Sequence, residues 1–226
     1  MFILLAHLGC GILLITGLGP DAALWELALY LVRMLATTAI YHRLIAHGSY
    51  QAPRLVYWLG SLVAASAGQM GPSWWTPHHR DHHRHVDTAG DPHTPLVPSV
   101  GWRGFWRSQL GWLLSRKFPA VLCHGVASVN SIAHLFGTQP FATQDASRNN
   151  GWMALITLGE GWYNLHHAFQ GSVRQGVTVV EGRVLWLPDP TYVFIKGLDR
   201  VRWAIRLRHP SERALLARAR ESQPQV

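Results

Sequence analysis

The chain has 226 residues with a formal net charge of +8, and its 14 histidines outnumber its 12 acidic residues. The length suits one domain with a sizeable core, and the small number of carboxylates excludes a large metal site built mainly from aspartate and glutamate. The positive charge suits an anionic membrane surface or an acidic substrate carrier, and since the sequence carries no recognition motif for DNA or RNA, we expect no nucleic-acid partner.

Two apolar segments of membrane-spanning length stand at the start of the sequence. Residues 2–19 and 22–40 are each close to the roughly 17–25 residues that cross a hydrocarbon core, and only a short turn separates them. The pattern predicts a transmembrane hairpin over residues 1–41. Because the turn is acidic and arginines follow the second segment, the positive-inside rule predicts that the turn lies outside and that the residues after the hairpin face the cytoplasm. We expect the membrane to be a bacterial inner membrane.

Three histidine-rich blocks follow the hairpin. The first holds His42 and His47, the second holds His79, His82 and His83, and the third reads Tyr163-Asn164-Leu165-His166-His167. Neutral imidazole is a common metal ligand and suits iron, zinc, copper and nickel. Positions i, i+3 and i+4 share one helix face, so we expect the three imidazoles of the second block to converge on one point. The i, i+5 spacing of the first block fits one face of an α-helix less well.

The apolar stretches between the blocks are too short to cross a membrane twice. Residues 55–70 separate the first two blocks, and residues 119–136 separate the second from the third. A single crossing would place consecutive blocks on opposite sides of the membrane. We therefore predict that the former stretch lies in the interface or packs against the hairpin, and that the latter is re-entrant or in-plane.

The C-terminal part carries two further signals. Residues 177–188 are typical of a short β-hairpin with a turn at Glu181-Gly182, or of an ill-formed insertion. From residue 198 onward arginines alternate with apolar side chains, which predicts a basic amphipathic helix on the cytoplasmic leaflet. We expect an all-α integral membrane protein of one domain, residues 1–226. Its parts would be the transmembrane hairpin (1–41), a histidine-rich helical cap that carries the catalysis (42–176) and a divergent basic tail (177–226).

Further motifs stand between the blocks. They are Asp87-Thr88, Asp91-Pro92-His93, Gly111-Trp112-Leu113-Leu114, Asn130-Ser131-Ile132-Ala133-His134 and Gly159-Glu160-Gly161-Trp162. With these motifs and the three blocks, the chain from His42 to Phe169 resembles the membrane fatty acyl desaturases of the stearoyl-CoA desaturase type. Other histidine-box membrane oxygenases share the blocks but not the stretches between them, so the resemblance is specific.

The resemblance implies two iron ions held by eight histidines, with Asn130 beside a metal-bound water. The implied ligands are His42, His47, His79, His82, His83, His134, His166 and His167. It also implies a reaction in which O2 and two electrons from an external donor introduce a cis double bond into a fatty acyl chain. The substrate would be linked to CoA, acyl carrier protein or a lipid. The donor would be a separate ferredoxin or cytochrome b5-like protein, and membrane lipids would surround the enzyme.

Two departures from the family pattern keep alternatives open. Tyr163 stands where the family has a histidine ligand; it is either a phenolate ligand or, as we expect, unligated, because eight histidines already supply ligands. The family's second transmembrane hairpin, before Asn130, is missing from this sequence. The chain is then a compact variant or a degenerate copy, and a related di-iron hydroxylase or acetylenase would use the same ligands. Glu160 either orients a ligand imidazole or is a helix N-terminal charge.

Overall fold

The computed structural model describes residue 17 and residues 19–91, 94–109 and 124–221. The first predicted apolar segment therefore lies outside the described residues, apart from two glycines at its end, and His93 also lies outside them. Within the described residues the chain is predominantly helical, as the sequence predicts, and it contains one small sheet.

A long apolar helix begins at a proline and changes its winding partway along. Helix α1, Pro20–Leu35, has proline in its first turn, where the missing backbone N–H would have no partner within the helix. The negative charge of Asp21 in the same turn interacts favourably with the positive end of the helix dipole. The helix continues directly into a π-helical segment, Ala36–Ala46. Together they span 27 residues and form the one helix within the described residues that is long and apolar enough to cross a membrane. This helix contains the predicted second apolar segment, residues 22–40.

Burial divides this long helix into two halves. In α1 large apolar side chains such as Leu24 and Trp25 are exposed, whereas the π-helical segment is almost entirely buried. Contiguous exposed apolar surface of this kind marks a contact with lipid or with another protein. The buried half forms the centre of the protein and carries the first histidine block.

Helix α2, Arg54–Ala65, packs against the π-helical segment and α1, which confirms one of the two predictions for residues 55–70. Gly60 faces Ile40 so closely that a Cβ atom there would lie 2.5 Å from Ile40 Cγ1. The missing side chain lets the two helices approach each other. With 12 residues, α2 is too short to span a hydrocarbon core by itself.

Three helices carry or support the second block and the Asn130 motif. They are α3 (Pro72–His85), α4 (Gly101–Gln109) and α5 (His124–Ala133). Helices α4 and α5 pack against each other, and the hydroxyls of Ser108 and Ser131 share a hydrogen bond of 2.7 Å between them. Residues 110–123 lie outside the described residues, so the predicted loss of the family's second hairpin, between Pro119 and Asn130, stays a prediction. Of the predicted segment 119–136, the structure therefore describes only the part from α5 onward.

The remaining elements are short helices and a two-stranded sheet. They are α6 (Gly151–Ile156), α7 (Tyr163–Ala168), β1 (Val177–Val180), β2 (Arg183–Trp186), α8 (Pro190–Arg200) and α9 (Glu212–Glu221). The strands are antiparallel, with Val177 opposite Trp186. Glu181 and Gly182 form the turn between them, both at positive φ. The predicted β-hairpin and the position of its turn are confirmed.

The predicted basic amphipathic helix from residue 198 onward is wrong in two respects. Helices α8 and α9 are separated by a non-helical stretch that contains Pro210, a residue that cannot continue a helix. Leu215 and Ala219 of α9 are buried in a cluster with Phe141 and β1. The apolar side of α9 therefore completes the protein core instead of lying on a lipid leaflet.

Candidate metal centre

The eight predicted ligands come together in two separate groups. The larger group consists of His42, His47, His79, His83 and His166, and the smaller group consists of His82, His134 and His167. We call them the five-histidine group and the three-histidine group. Within each group the candidate ligand atoms all lie within 4.8 Å of one another, which is close enough to share one metal ion.

The second block supplies both groups, so the prediction that its three imidazoles converge on one point is wrong. His79 and His83 are one helical turn apart on α3 and belong to the five-histidine group. His82 is rotated by about 100° from its neighbour and belongs to the three-histidine group. The third block divides in the same way, with His166 in the larger group and His167 in the smaller one. Adjacent histidines on one helix thus reach two different groups.

The first block presents both of its histidines to one group because the helix there is a π-helix. In an α-helix, positions i and i+5 are about 140° apart around the axis. Here the His47 backbone N–H donates to the His42 carbonyl oxygen at 3.1 Å, which is the hydrogen-bond pattern of a π-helix. The two imidazole centroids consequently lie only 4.8 Å apart. A spacing that suits an α-helix poorly is therefore the sequence signal of this π-helical segment.

The contacts inside the five-histidine group fit a shared metal ion. The Nε2 atoms lie 2.8 Å apart in His47 and His79, 2.9 Å in His83 and His166, 3.0 Å in His42 and His166, and 3.1 Å in His79 and His83. A ring nitrogen is either a donor or an acceptor, so His79, His83 and His166, with two such neighbours each, cannot satisfy both by hydrogen bonds. Two nitrogens bound at right angles to one metal at about 2.1 Å would lie about 3.0 Å apart. The observed separations match that arrangement.

Burial keeps five of the eight imidazoles neutral. Burial, followed by the charge of neighbouring imidazoles, lowers the pKa of His47 to about 2. The same causes hold the pKa values of His79, His83 and His166 well below the ordinary value. In the three-histidine group, burial lowers the pKa of His167 to about 4, although a neighbouring carboxylate opposes the shift. Neutral imidazole is the form that binds metal, so these side chains need not lose a proton at neutral pH.

Carboxylates hold four of the eight imidazoles by their Nδ1 atoms. The pairs are His42 with Glu160, His82 with Asp91 (3.0 Å), His134 with Asp87 (3.0 Å) and His167 with Asp145 (2.8 Å). Such partners fix the tautomer, so that the Nε2 lone pair faces the group. Within the described part of the chain, the buried Nε2 atoms of His134 and His167 have no hydrogen-bond partner. Orphaned nitrogens in this position fit a metal.

The sequence assigns no role in the site to the three aspartates. Asp87 and Asp91 belong to motifs of the resemblance, and that is the only local signal they carry. Asp145 lies in a loop without regular pattern, and tertiary structure brings it to His167. Orienting carboxylates of this kind are therefore harder to identify from sequence than the ligands they support.

Glu160 contacts a ligand imidazole, which supports the orienting role over that of a helix N-terminal charge. One of its oxygens contacts His42 Nδ1, and the other accepts from Arg43 Nη2 at 3.1 Å. Arg43 is fully buried and also donates to Asp189 Oδ2 at 3.0 Å. Asp189 in turn caps α8 by accepting from the backbone N–H of Tyr192 at 2.9 Å. A buried ionic network, which the sequence does not reveal, thus ties the five-histidine group to the C-terminal part of the chain.

Tyr163 and Asn130 lie beside the three-histidine group. The Tyr163 hydroxyl is 2.7 Å from Asn130 Oδ1 and 2.9 Å from His82 Nε2. Burial raises the pKa of Tyr163 well above the ordinary value, and nearby carboxylates raise it further. The phenol is therefore protonated at neutral pH, as an unligated tyrosine would be.

Three described histidines that the sequence assigns to no metal site, His78, His85 and His209, lie outside both groups. The ring of His78 stacks on Trp74, and His85 pairs with Asp81 at the surface at 3.2 Å. His209 meets the ring of a tyrosine on α8 edge to face. These side chains offer controls for substitutions within the groups.

Comparison with known proteins identifies the family. Residues 20–129 match the sequence profile described as fatty acid desaturase. The chain is 30% identical over 247 residues to an acyl-CoA 5-desaturase of Anemone leveillei, and this alignment covers 84% of this chain and 73% of that protein. It is 26% identical over 246 residues to delta-9 acyl-lipid desaturase 2 of Arabidopsis thaliana, covering 84% of this chain and 76% of that protein. The icosanoyl-CoA 5-desaturase of Limnanthes douglasii is 27% identical over 234 residues, 79% of this chain and 62% of that protein.

The chain belongs to the fatty acid desaturase family, as its blocks and motifs predict. It is accordingly a desaturase-like oxidoreductase of lipid metabolism. The chain spans between 62% and 76% of the lengths of these relatives. Since all three alignments, at 234, 246 and 247 residues, are longer than the 226 residues of the chain, these relatives contain residues that have no counterpart here.

Proposed function

We propose that the chain is an O2-dependent di-iron desaturase that introduces a cis double bond into a fatty acyl chain. The observation that carries the proposal is the convergence of eight histidines into two groups, one for each metal ion. The groups are adjacent, since the ring centroids of His83 and His167 are 4.8 Å apart across them. Imidazole suits iron among the transition metals, and family membership supports the class of reaction.

The residues of the chain would hold, orient and shield the two ions. The proposed ligands are His42, His47, His79, His83 and His166 for one ion, and His82, His134 and His167 for the other, with Asn130 beside a water at the second ion. When bound, the irons would supply the O2 activation needed to remove hydrogen from an unactivated methylene group. The carboxylate partners fix the imidazole rings, and burial of the site excludes bulk water.

An apolar groove offers a place for an acyl chain beside the helix that carries the first block. It has a volume of about 270 Å³ and is lined by apolar side chains of α1, the π-helical segment, α2 and α8. Ile40 forms part of its wall, two residues before the proposed ligand His42. A wall of this kind favours hydrocarbon over water. We therefore assign the groove to part of the fatty acyl substrate.

The relatives support a fatty acyl substrate with more than one kind of head group. One relative is named as an acyl-CoA desaturase and another as an acyl-lipid desaturase. The proposed substrate is an acyl chain linked to CoA, acyl carrier protein or a lipid. The proposed electron donor is a separate ferredoxin or cytochrome b5-like protein, as the family resemblance implies.

We further propose that the long apolar helix anchors the protein in a membrane, a bacterial inner membrane, with the histidine groups on the cytoplasmic face. The exposed surface of α1 and α2 supports the anchor, since Leu24, Trp25, Trp58 and Leu62 are between 67% and 73% exposed. In this arrangement the hairpin consists of residues 1–41. The histidine-rich cap (42–176) and the basic tail (177–226) form one domain with it. The buried contact between Arg43 and Asp189 supports the union of the latter two parts.

Fatty acid analysis of an expressing host tests the proposed function. A host that lacks the unsaturated product should accumulate a cis-monounsaturated acyl chain, and only in air and with iron supplied. His166→Ala should abolish the product, whereas His209→Ala, which changes a histidine outside both groups, should not. A hydroxylated or acetylenic product would point instead to the related oxidations. An iron-loaded protein without any product would mark a degenerate copy, and each of these results contradicts the proposal.

A further inference from the structure

The two histidine groups offer different numbers of imidazoles, and Tyr163 lies beside the smaller group. Among the described residues, five imidazoles form one group and three form the other. Tyr163 lies one helical turn before His166 and His167 on α7. Its ring centroid is 4.2 Å from that of His167 and 5.3 Å from that of His134. Tyr163 therefore belongs spatially to the three-histidine group.

The Tyr163 hydroxyl oxygen lies where a neighbouring ligand atom would lie. It is 2.9 Å from His82 Nε2, within the range of 2.8 to 3.1 Å that separates neighbouring Nε2 atoms in the five-histidine group. An imidazole at this position would present a nitrogen lone pair, which suits iron, cobalt and similar metals. A neutral phenol presents an oxygen that keeps its proton and is a much weaker ligand. Within the part of the chain that the structure describes, the three-histidine group thus has no fourth imidazole on this side.

Asn130 can accept the proton of the Tyr163 hydroxyl on the side away from the three-histidine group. The His82 Nδ1–H donates to Asp91, so the lone pair of this imidazole is on Nε2. The Tyr163 hydroxyl has one proton and two acceptors within reach, His82 Nε2 at 2.9 Å and Asn130 Oδ1 at 2.7 Å. When a metal takes the His82 lone pair, the proton lies towards Asn130. This contact keeps the hydroxyl group oriented towards Asn130.

We propose that the two metal sites are unequal, and that the three-histidine group binds its ion at least about tenfold more weakly than the five-histidine group. The cause is that the three-histidine group offers two fewer imidazoles, and that the Tyr163 hydroxyl, which donates to Asn130 Oδ1 at 2.7 Å, lies where a further imidazole would bind the ion. The chain consequently loads its metals in order, the five-histidine group first. The inference rests on the proposed function in requiring that both groups bind metal.

Titration of the metal-free full chain with Co2+ tests this order without reference to activity. The visible absorption of bound Co2+ reports occupied sites, and dialysis separates a retained ion from an exchangeable one. We expect two classes of site whose Kd values differ at least about tenfold. His82→Ala should remove the weaker class alone, and His83→Ala should weaken the stronger class, so that each class is assigned to its group.

Two substitutions at one position isolate the part played by Tyr163. Tyr163→His supplies an imidazole and should tighten the weaker class at least about tenfold, so that the two classes approach each other. Tyr163→Phe removes only the hydroxyl group and should leave both Kd values unchanged. The Phe variant and the natural protein suffice for the test where the His variant fails to fold.

Three results would overturn the inference. Equal affinities at the two groups of the natural protein would contradict unequal sites. Loss of the weaker class in Tyr163→Phe would show that the tyrosine oxygen is a ligand. Binding of no Co2+ at either group would overturn the proposed function together with the inference, so the two failures are distinguishable.

Discussion

Carboxylates determine which nitrogen four of the eight imidazoles offer, and Glu160 allows this to be tested at a single residue. Its two oxygens contact His42 Nδ1 and Arg43. Glu160→Gln keeps the size of the side chain but removes the charge that holds the His42 ring. We expect the metal affinity of the five-histidine group to fall by about 10- to 100-fold. Metal retained after dialysis, measured by mass spectrometry, checks this.

Asp81→Asn is the matched control for that substitution. Asp81 makes the same kind of contact with His85 at 3.2 Å, but the pair is at the surface and outside both groups. We expect metal retention to be unchanged in this variant. Equal losses in the two variants, or no loss in Glu160→Gln, would contradict the role assigned to Glu160.

A second prediction at the residue scale concerns the visible spectrum of the ferric protein. Burial and then nearby carboxylates raise the pKa of Tyr163 in the metal-free protein, and its hydroxyl group donates to Asn130 Oδ1 at 2.7 Å. Tyrosinate is a known ligand of ferric iron, and its binding produces a visible charge-transfer band. We expect no such band, and we expect the spectrum of Tyr163→Phe to match that of the natural protein. A band that disappears in Tyr163→Phe would identify Tyr163 as a ligand.

At the scale of elements, Asp189 couples the start of α8 to the metal centre. One oxygen caps the helix, and the other accepts from Arg43 Nη1 at 3.0 Å and from Gln175 N at 2.7 Å. Asp189→Asn keeps a good capping group but removes the charge beside a buried guanidinium. Removing one partner of a buried ion pair costs about 3–5 kcal/mol. Because Glu160 still pairs with Arg43, we expect the free energy of unfolding to fall by about 3 kcal/mol.

Unfolding in detergent, followed by circular dichroism, measures this loss. Asp199→Asn is the control on the same helix, since it removes only a contact with Lys196 at the protein surface, at 2.6 Å. We expect no measurable change in its stability. An Asp189→Asn variant as stable as the natural protein would show that the buried network does not hold α8 in place.

The elements also show what a linear pattern can and cannot encode. The convergence of the eight histidines was predictable, because they belong to blocks and motifs that stand in the family's order. Their division was not, because the rule for one helix face assumes one target, whereas α3 and α7 each lie between two groups. The contact of Asp145 with His167 depends on tertiary structure alone. For α9, an amphipathic pattern shows that one face will be covered but not whether lipid or protein covers it.

At the scale of the whole molecule, the convergence of the blocks requires them to lie on one side of a membrane. A reporter inserted at the exposed turn around Gly182 tests which side this is. On the proposed orientation, alkaline phosphatase inserted there should be inactive and a fluorescent protein should fluoresce, whereas an insertion at residues 19–21 should give the opposite result. Active phosphatase at Gly182 would reverse the proposed orientation.

The iron content of the purified protein tests the central claim most directly, namely that eight histidines hold two iron ions. Full-length protein saturated with Fe2+ under anaerobic conditions should contain two irons per chain. The double variant His83→Ala with His167→Ala, which removes one ligand from each group, should contain far less. A natural protein that binds no iron, or a double variant that binds as much iron as the natural protein, would contradict the account.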